Sequence, residues 1–383
     1  MTRAGFVHRD GTRILGPTGE PSFRRGMGLG GWLLPEGYMW RWEAPAHSPR
    51  AMEAAVARML GSDAAAEAFW RSYRDRFLTG ADIELIAASG LDHVRLPLNA
   101  RGLLAGEALD PDGVARIDQV LDWCRATGLT CVLDLHAAPG GQTGANIDDS
   151  EHGRPVLFTD RTAFAAGIRL WSLLAKRYAE DPTVAAYDLL NEPLPAAQEH
   201  LVPQLVDFYR EATAAVRAAD PHHLISYEGS NWATNFDLFD QVWDENSCLH
   251  FHKYWSEPTT ASLRPYLEAR DRLGLPLWMG ESGENDDDWY RAAFALFEQH
   301  EIPWTFWTWK KVEGPTSPVI ASAPPDWDAV ARCASSGGEV PARAEQALHE
   351  LLENVELERC RVRTDLLELL TTLPSARDEE PMR

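Results

Sequence analysis

The sequence predicts an α/β fold of the (β/α)8 (TIM) barrel type in a single domain, and three observations carry that reading. Eight short β-prone apolar runs alternate with longer segments whose apolar residues recur every three or four positions. The 383 residues are too many for one small module and fit one large barrel. The alternative, a doubly wound open sheet, lacks its glycine-rich dinucleotide turn. Gly26-Met-Gly-Leu-Gly-Gly31 has neither the G-x-G-x-x-G order nor a following helix and distal acid.

The elements follow in chain order. Residues 1–22 are an N-terminal hairpin segment, because Asp10-Gly11 is a turn dipeptide between β-prone runs. Strands are expected at 23–29, 92–98, 129–136, 184–191, 223–228, 247–254, 276–281 and 303–309. Helices at 82–89 and 113–127 each run into a glycine suited to a C-cap, Gly90 and Gly128. Further helices are read at 161–180, 196–219, 258–273, 286–300 and 342–357, with a short one in the link 231–246. Residues 51–77 form extra helix between the first strand and its usual helix. The catalytic barrel is thus placed at 23–358, and 359–383 is a C-terminal extension expected to fray from Ser375. Irregular stretches at 30–49, 139–157 and 312–341 exceed ordinary connection lengths and read as functional strand-to-helix loops.

Composition excludes several roles. With 36 basic and 58 acidic residues the net charge is −22, which repels phosphate backbones and anionic lipid surfaces. Nucleic-acid and membrane partners are therefore not expected. No apolar run is long enough to span a bilayer, and residues 1–10 carry no secretory apolar stretch, so a cytoplasmic location is expected. The five cysteines form no C-x-x-C pair, which argues against a disulfide framework or a zinc ribbon. Fifteen tryptophans suit either a heavy core or a sugar-stacking cleft.

Active sites of such barrels lie at the C-terminal strand ends, so polar residues there come first. The second strand leads in Arg95, the third ends at His136, and the fourth ends Asn191-Glu192-Pro193. The sixth ends His250-Phe-His252-Lys-Tyr254-Trp255, and the seventh ends at Glu281. Glu192 and Glu281 are thus two strand-end carboxylates, the pair that glycosidic cleavage needs: one protonates the leaving oxygen, the other attacks or activates water. The combination resembles clan A glycoside hydrolases, and specifically family 5. Its motifs Leu29-Gly-Gly-Trp-Leu-Leu-Pro-Glu36, Leu135-His-Ala-Ala-Pro-Gly-Gly-Gln142 and Phe306-Trp-Thr-Trp-Lys310 are most similar to the exo-β-1,3-glucanase branch. The resemblance runs from about Arg24 to Lys311.

The resemblance implies a retaining double displacement with Glu281 as nucleophile and Glu192 as acid/base. It also implies that Arg95 and Tyr254 hold the nucleophile, that Asn191 meets the sugar 2-OH, and that Trp307 is the platform beneath the reacting sugar. His136 and His252 match its strand-three and H-x-Y histidines, and Glu36 its acidic residue near the terminal sugar. Arg95 beside Glu281 should favour the ionised nucleophile, while Glu192 should hold a proton at rest. The sequence after Gln142 and after Lys311 departs from that branch, so β-1,3-glucan preference does not follow from the resemblance.

Blander readings stand beside these. His136, His250 and His252 could suggest a metal, but no H-E-x-x-H is present; no metal and no cofactor are expected, and His250 reads as structural. Trp307 and Trp309 should share one strand face, and Trp304 and Phe306 the other. Trp32, Trp232 and Trp255 could line the cleft, whereas Trp70, Trp123 and Trp171 read as packing. Glu228 and Glu284 could bind a sugar hydroxyl or be solvated, and Glu36 could be a loop surface charge. The expected activity is exo-acting hydrolysis of short β-linked glucosides, mannosides or gluco-oligosaccharides. The alternatives are an endo-β-1,4-glucanase or β-mannanase with an open cleft, a carbohydrate-binding pseudoenzyme, and a metal-dependent barrel hydrolase.

Overall fold

The computed structural model describes residues 5–20 and 23–373. Eight parallel strands close in chain order: β1 (Arg25–Gly28), β2 (His93–Asn99), β3 (Thr130–Ala137), β4 (Val184–Asp188), β5 (Leu224–Glu228), β6 (Ser247–His252), β7 (Leu277–Gly283) and β8 (Trp304–Trp307), with β8 pairing onto β1. All eight expected strands are present. They stop short where the chain leaves the ladder to build the site: β4 at Asp188 rather than 191, β6 at His252 rather than 254, and β8 at Trp307 rather than 309.

Alternation along the strands gives the barrel a graded interior. At its N-terminal end, Val132, Ala186, Leu224, Cys248 and Trp278 pack against Val7, Ile14 and Phe23 of the N-terminal segment. The hairpin pairs His8–Asp10 with Arg13–Leu15 and so plugs the bottom of the barrel. One step up the same faces come Arg95, Asp134, Asp188, Glu228 and His250, all fully buried. The apolar plug lies beneath the charged layer, on the side away from the C-terminal strand ends.

Three expectations are corrected outside the site. Residues 51–77 are two helices, Pro49–Leu60 and Asp63–Phe77, broken at Gly61, whose φ of 77° an α-helix cannot continue. The link 231–246 holds only the one-turn Ser230–Ala233, because Asn231, Trp232 and Ala233 all take positive φ, while Phe236 packs on Phe239 and Tyr266. The stretch 312–341 is ordered: Lys310–Val312, Val319–Ala321 and Arg361–Val362 form a three-stranded sheet, and Trp327–Ser336 is a helix. That sheet ties residues beyond 358 to the barrel, and the helix Thr364–Thr371 follows it. Arg25 also donates to the carbonyls of Thr371 and Leu373. The frayed end expected from Ser375 lies outside the described residues. Among the described residues no helix is long and apolar enough to cross a membrane.

Candidate active site

Arg95 is the hub of the charged layer. Its Nη1 donates to Glu281 Oε1 at 2.7 Å, its Nη2 to Asn191 Oδ1 at 2.8 Å and Glu228 Oε1 at 3.0 Å, and its Nε to Asp188 Oδ2 at 3.0 Å. Asp134 Oδ2 lies 3.1 Å from Nη2. A guanidinium this deep survives only with such partners, since removing one member of a buried charge pair costs about 3–5 kcal/mol. The arginine expected to hold the nucleophile candidate therefore does so, and it holds four carboxylates at once.

Glu281 reaches the site through a bulge. Trp278 and Gly280 face inward, so simple alternation would send Glu281 outward; the register of β7 shifts between Met279 and Ser282 and turns it back. Gly280 is there for space: a Cβ would meet the His250 ring at 1.8 Å. Tyr254 donates to Glu281 Oε2 at 2.9 Å, so both carboxylate oxygens accept a hydrogen bond. Glu192 stands across the site with φ +41°, a left-handed conformation that costs a non-glycine residue about 1–3 kcal/mol. Its main-chain N–H donates to Glu228 Oε2 at 2.6 Å. One oxygen each of Glu192 and Glu281 and one nitrogen of His252 all lie within 4.8 Å of one another.

The histidines link these groups. His136 Nδ1 is 2.7 Å from Asp134 Oδ2, and burial lowers its pKa to about 4, so it is neutral with Nδ1–H donating. Its bare Nε2 then accepts from Asn191 Nδ2 at 3.3 Å, while Asn191 Oδ1 takes Arg95, which fixes the amide orientation. His252 Nδ1 is 2.8 Å from Glu192 Oε1, and its Nε2 is 3.0 Å from His250 Nε2.

The proton balance differs from the sequence expectation. Burial raises Glu281 above the ordinary carboxylate value, against the pull of His252 and Arg95. Burial also pushes on Glu192, but the hydrogen bond and charge of His252 outweigh it and hold Glu192 low. The physical reason is the 2.8 Å contact: the proton expected on Glu192 lies one hydrogen bond away, on His252, which its carboxylate neighbours Glu228 and Glu281 raise despite burial.

One wall is aromatic. Trp307 stacks parallel on His136 (5.5 Å, 4°) and donates from Nε1 to Tyr38 Oη at 2.8 Å. The glycine-rich run makes room for it: a Cβ on Gly28 would meet the Trp307 ring at 2.6 Å, and one on Gly30 at 2.5 Å. Trp309 does not share this face, because the strand ends at Trp307; its Nε1 donates to Asp82 of the helix Gly80–Ala88 instead. Trp32 does not line the cleft either. It is buried and donates to the Arg74 carbonyl. Trp232 is half-buried on the left-handed turn after β5. Trp255, 73% exposed, stands beside Tyr254 with Nε1 on the Glu284 carbonyl.

Glu36 is no surface charge. It is 2% exposed, and its pKa is raised well above normal by burial and by facing Glu281, Glu192 and Glu284, with Lys311 opposing. Glu284 is neither free nor simply solvated, since it accepts from Lys311 and Thr316 of the following loop. Glu228, expected as a sugar contact or a solvated group, is fully buried and turned inward. Among the described residues, Glu228, His250 and His252 form one group with metal-ligand spacing, and Glu192, His252 and Glu281 another. Arg95 already donates to Glu228 and Glu281, so a cation there would displace a fixed positive charge. The sequence assigns no role to Asp134 or Asp188, and offers Glu228 only as a sugar contact or a solvated group. Their inward parity on strands that end in Arg95-paired groups was the available signal.

The comparisons with known proteins agree with this geometry. The family model for cellulase (glycosyl hydrolase family 5) matches residues 57–313. A β-xylosidase of Phanerodontia chrysosporium is 29% identical over 352 residues, covering 80% of this chain and 71% of its own. A probable glucan 1,3-β-glucosidase A of Emericella nidulans is 33% identical over 263 residues, 65% of this chain and 62% of its own. Endoglucanase C of Acetivibrio thermocellus is 24% identical over 312 residues, 64% and 88%. In fold, the chain is similar to an endogalactoceramidase (TM-score 0.62, 21% identity, covering 91% of this chain and 84% of that one). It is also similar to an endoglucanase of Thermotoga maritima (TM-score 0.54, 18% identity, 78% and 92%). The barrel and its paired carboxylates define a glycosyl hydrolase of β-glycosides. The chain belongs to glycoside hydrolase family 5.

Proposed function

We propose that this chain is a retaining, exo-acting β-glycosidase that releases single sugars from short β-glucosides or β-xylosides. The observation that carries the exo reading is Glu36, buried in the loop between β1 and the helix Pro49–Leu60, where the charges of Glu281 and Glu192 bear on its carboxyl. Tyr38 on the same loop is bonded to the edge of Trp307, so the cleft is walled on that side of the platform. The relatives named β-xylosidase and glucan 1,3-β-glucosidase support small terminal sugars.

The spacing supports retention. One oxygen of each carboxylate lies within 4.8 Å of one oxygen of the other, which leaves less room for an intervening water than the ~6.5–9.5 Å pair of inverting enzymes. Glu281, with two donors on its carboxylate, is the nucleophile; it attacks the anomeric carbon as the bond to the leaving oxygen breaks. Glu192 supplies the proton to that oxygen and takes one back from water in the second step. Asn191, its oxygen held by Arg95, has an amide hydrogen left for the sugar 2-OH. A panel of aryl β-glucoside, xyloside, mannoside and galactoside, followed by natural oligosaccharides, tests this. Monosaccharide from the first time point is expected, with turnover lost in Glu281→Ala. Mixed oligomers at that point would establish the open-cleft endo reading instead, and equal turnover in Glu281→Ala would remove the mechanism.

A further inference from the structure

Behind the two glutamates lies a chain of buried groups that the reaction as described does not use. His250, on β6, is fully buried; its Nδ1 is 3.1 Å from Asp188 Oδ1 and 3.1 Å from Ser226 Oγ. Its Nε2 is 3.0 Å from His252 Nε2, and His252 Nδ1 is 2.8 Å from Glu192 Oε1. The line Asp188–His250–His252–Glu192 thus crosses from β4 through β6 and returns to the end of β4.

The partners fix every proton on this line but one. Asp188 also accepts from Arg95, so it is ionised and its Oδ1 needs a donor. His250 Nδ1 must therefore carry hydrogen. Burial lowers the pKa of His250 to about 3, so the ring is neutral and its Nε2 is a bare acceptor. His252 Nε2 then must be a donor, and the Glu228 Oε1 that lies 3.5 Å from it favours the same tautomer. What remains is the contact between His252 Nδ1 and Glu192. A neutral His252 in this tautomer presents a lone pair there, which only a protonated Glu192 can meet. A charged His252 presents N–H, and Glu192, held low by that hydrogen bond and charge, accepts it as the carboxylate. Either way the contact holds a single proton.

We propose, resting on the assignment of Glu192 as acid/base, that Asp188 and His250 are positioning residues that lock the His252 tautomer, so that His252 Nδ1 and Glu192 share the one proton delivered to the leaving group. In the first step the shared proton leaves Glu192 for the departing oxygen, which receives the electron pair of the breaking glycosidic bond. A bare Nδ1 then faces the Glu192 carboxylate. That repulsion makes Glu192 a stronger base for the water of the second step: the water oxygen bonds the anomeric carbon, its proton restores the pair, and the sugar–Glu281 bond breaks with its electron pair returning to the Glu281 carboxylate. The groups facing His252 are Glu192, Glu281, Glu228 and His250, and those facing His250 are Asp188, Glu228, Ser226 and His252.

The test compares wild type with His250→Gln on two glycosides of the sugar that wild type accepts. A glutamine amide can donate to His252 Nε2, which frees the other tautomer and leaves Glu192 facing N–H without an available proton. A methyl β-glycoside needs leaving-group protonation, and a 2,4-dinitrophenyl one does not. The loss of kcat/KM on the methyl glycoside is expected to exceed that on the dinitrophenyl one by about 30-fold, less than the roughly 10²–10⁴-fold of general acid catalysis because Glu192 itself remains. The alkaline limb of the methyl-glycoside profile should also move to lower pH. Equal losses on both substrates with an unmoved limb would overturn the proposal and leave His250 as packing. If His250→Gln does not fold, 15N-histidine spectra of wild type decide: His252 Nε2 should stay protonated through the alkaline limb, and a bare Nε2 there overturns the lock. A wild type inactive on both glycosides would fail the functional assignment, while the tautomer reading would still stand or fall by the spectra.

Discussion

The main-chain N–H of Glu192 donates to Oε2 of Glu228 at 2.6 Å, so a buried carboxylate on β5 pins the backbone of the residue assigned as acid/base. Glu192 sits at φ +41°, and nothing in an L-residue favours that conformation without a tether. Glu228 also accepts from Arg95, which reaches Glu281. In Glu228→Ala both donors are orphaned, and urea unfolding should show a loss of about 3–5 kcal/mol. Glu228→Gln keeps an amide oxygen for one donor and should lose clearly less. Equal losses in the two variants would mean that the acceptor is not what matters.

Stability should also respond to pH through the same group. Burial raises Glu228 to about 8, against the pull of His252 and, more weakly, Arg95. Its folded value lies above its unfolded one, so the folded state holds the extra proton in between. The stability this contributes is complete below about pH 4.5 and disappears as pH rises through 8. Glu228→Gln has no such titration. Its unfolding free energy should therefore gain on wild type as pH goes from 5 to 8.5. A constant gap across that range would contradict the shift.

The platform depends on missing side chains. A Cβ on Gly30 would lie 2.5 Å from the Trp307 ring and 2.7 Å from Thr308 Oγ1, whereas one on Gly102 meets nothing within 4 Å. Gly30→Ala should raise KM or lower kcat/KM at least about tenfold, at a stability cost of about 1–3 kcal/mol from overpacking. Gly102→Ala should change neither. Matching activities in the two variants would remove Trp307 from the binding surface.

Much of this molecule is legible in its sequence because barrel strands announce themselves by short β-prone runs, and the site lies where those runs end. Glu192, Glu281, Arg95, His136, His252, Tyr254 and Trp307 could be named because each closes or leads a strand in a recognisable motif. Glu228, Asp188 and Asp134 could not be assigned, since their roles come from which carboxylates converge on one guanidinium. The inward turn of Glu281 depends on a bulge that alternation does not predict. The proton of Glu192 is not legible in the sequence because His252, 60 residues away in sequence and 2.8 Å away in space, holds that carboxyl low. Strand position alone makes Trp32 a candidate for the cleft and puts Trp309 on the face of Trp307, whereas helix packing and the end of β8 at Trp307 decide both otherwise.

Glu192 and Glu281 are assigned to two displacements at one anomeric carbon. Proton NMR of the first minutes of hydrolysis of an aryl β-glycoside, before mutarotation, tests that assignment directly. The β-anomer is expected as the first sugar released, with the α-anomer growing only at the rate of mutarotation. Release of the α-anomer first would mean a single displacement by water and would contradict the roles given to both glutamates.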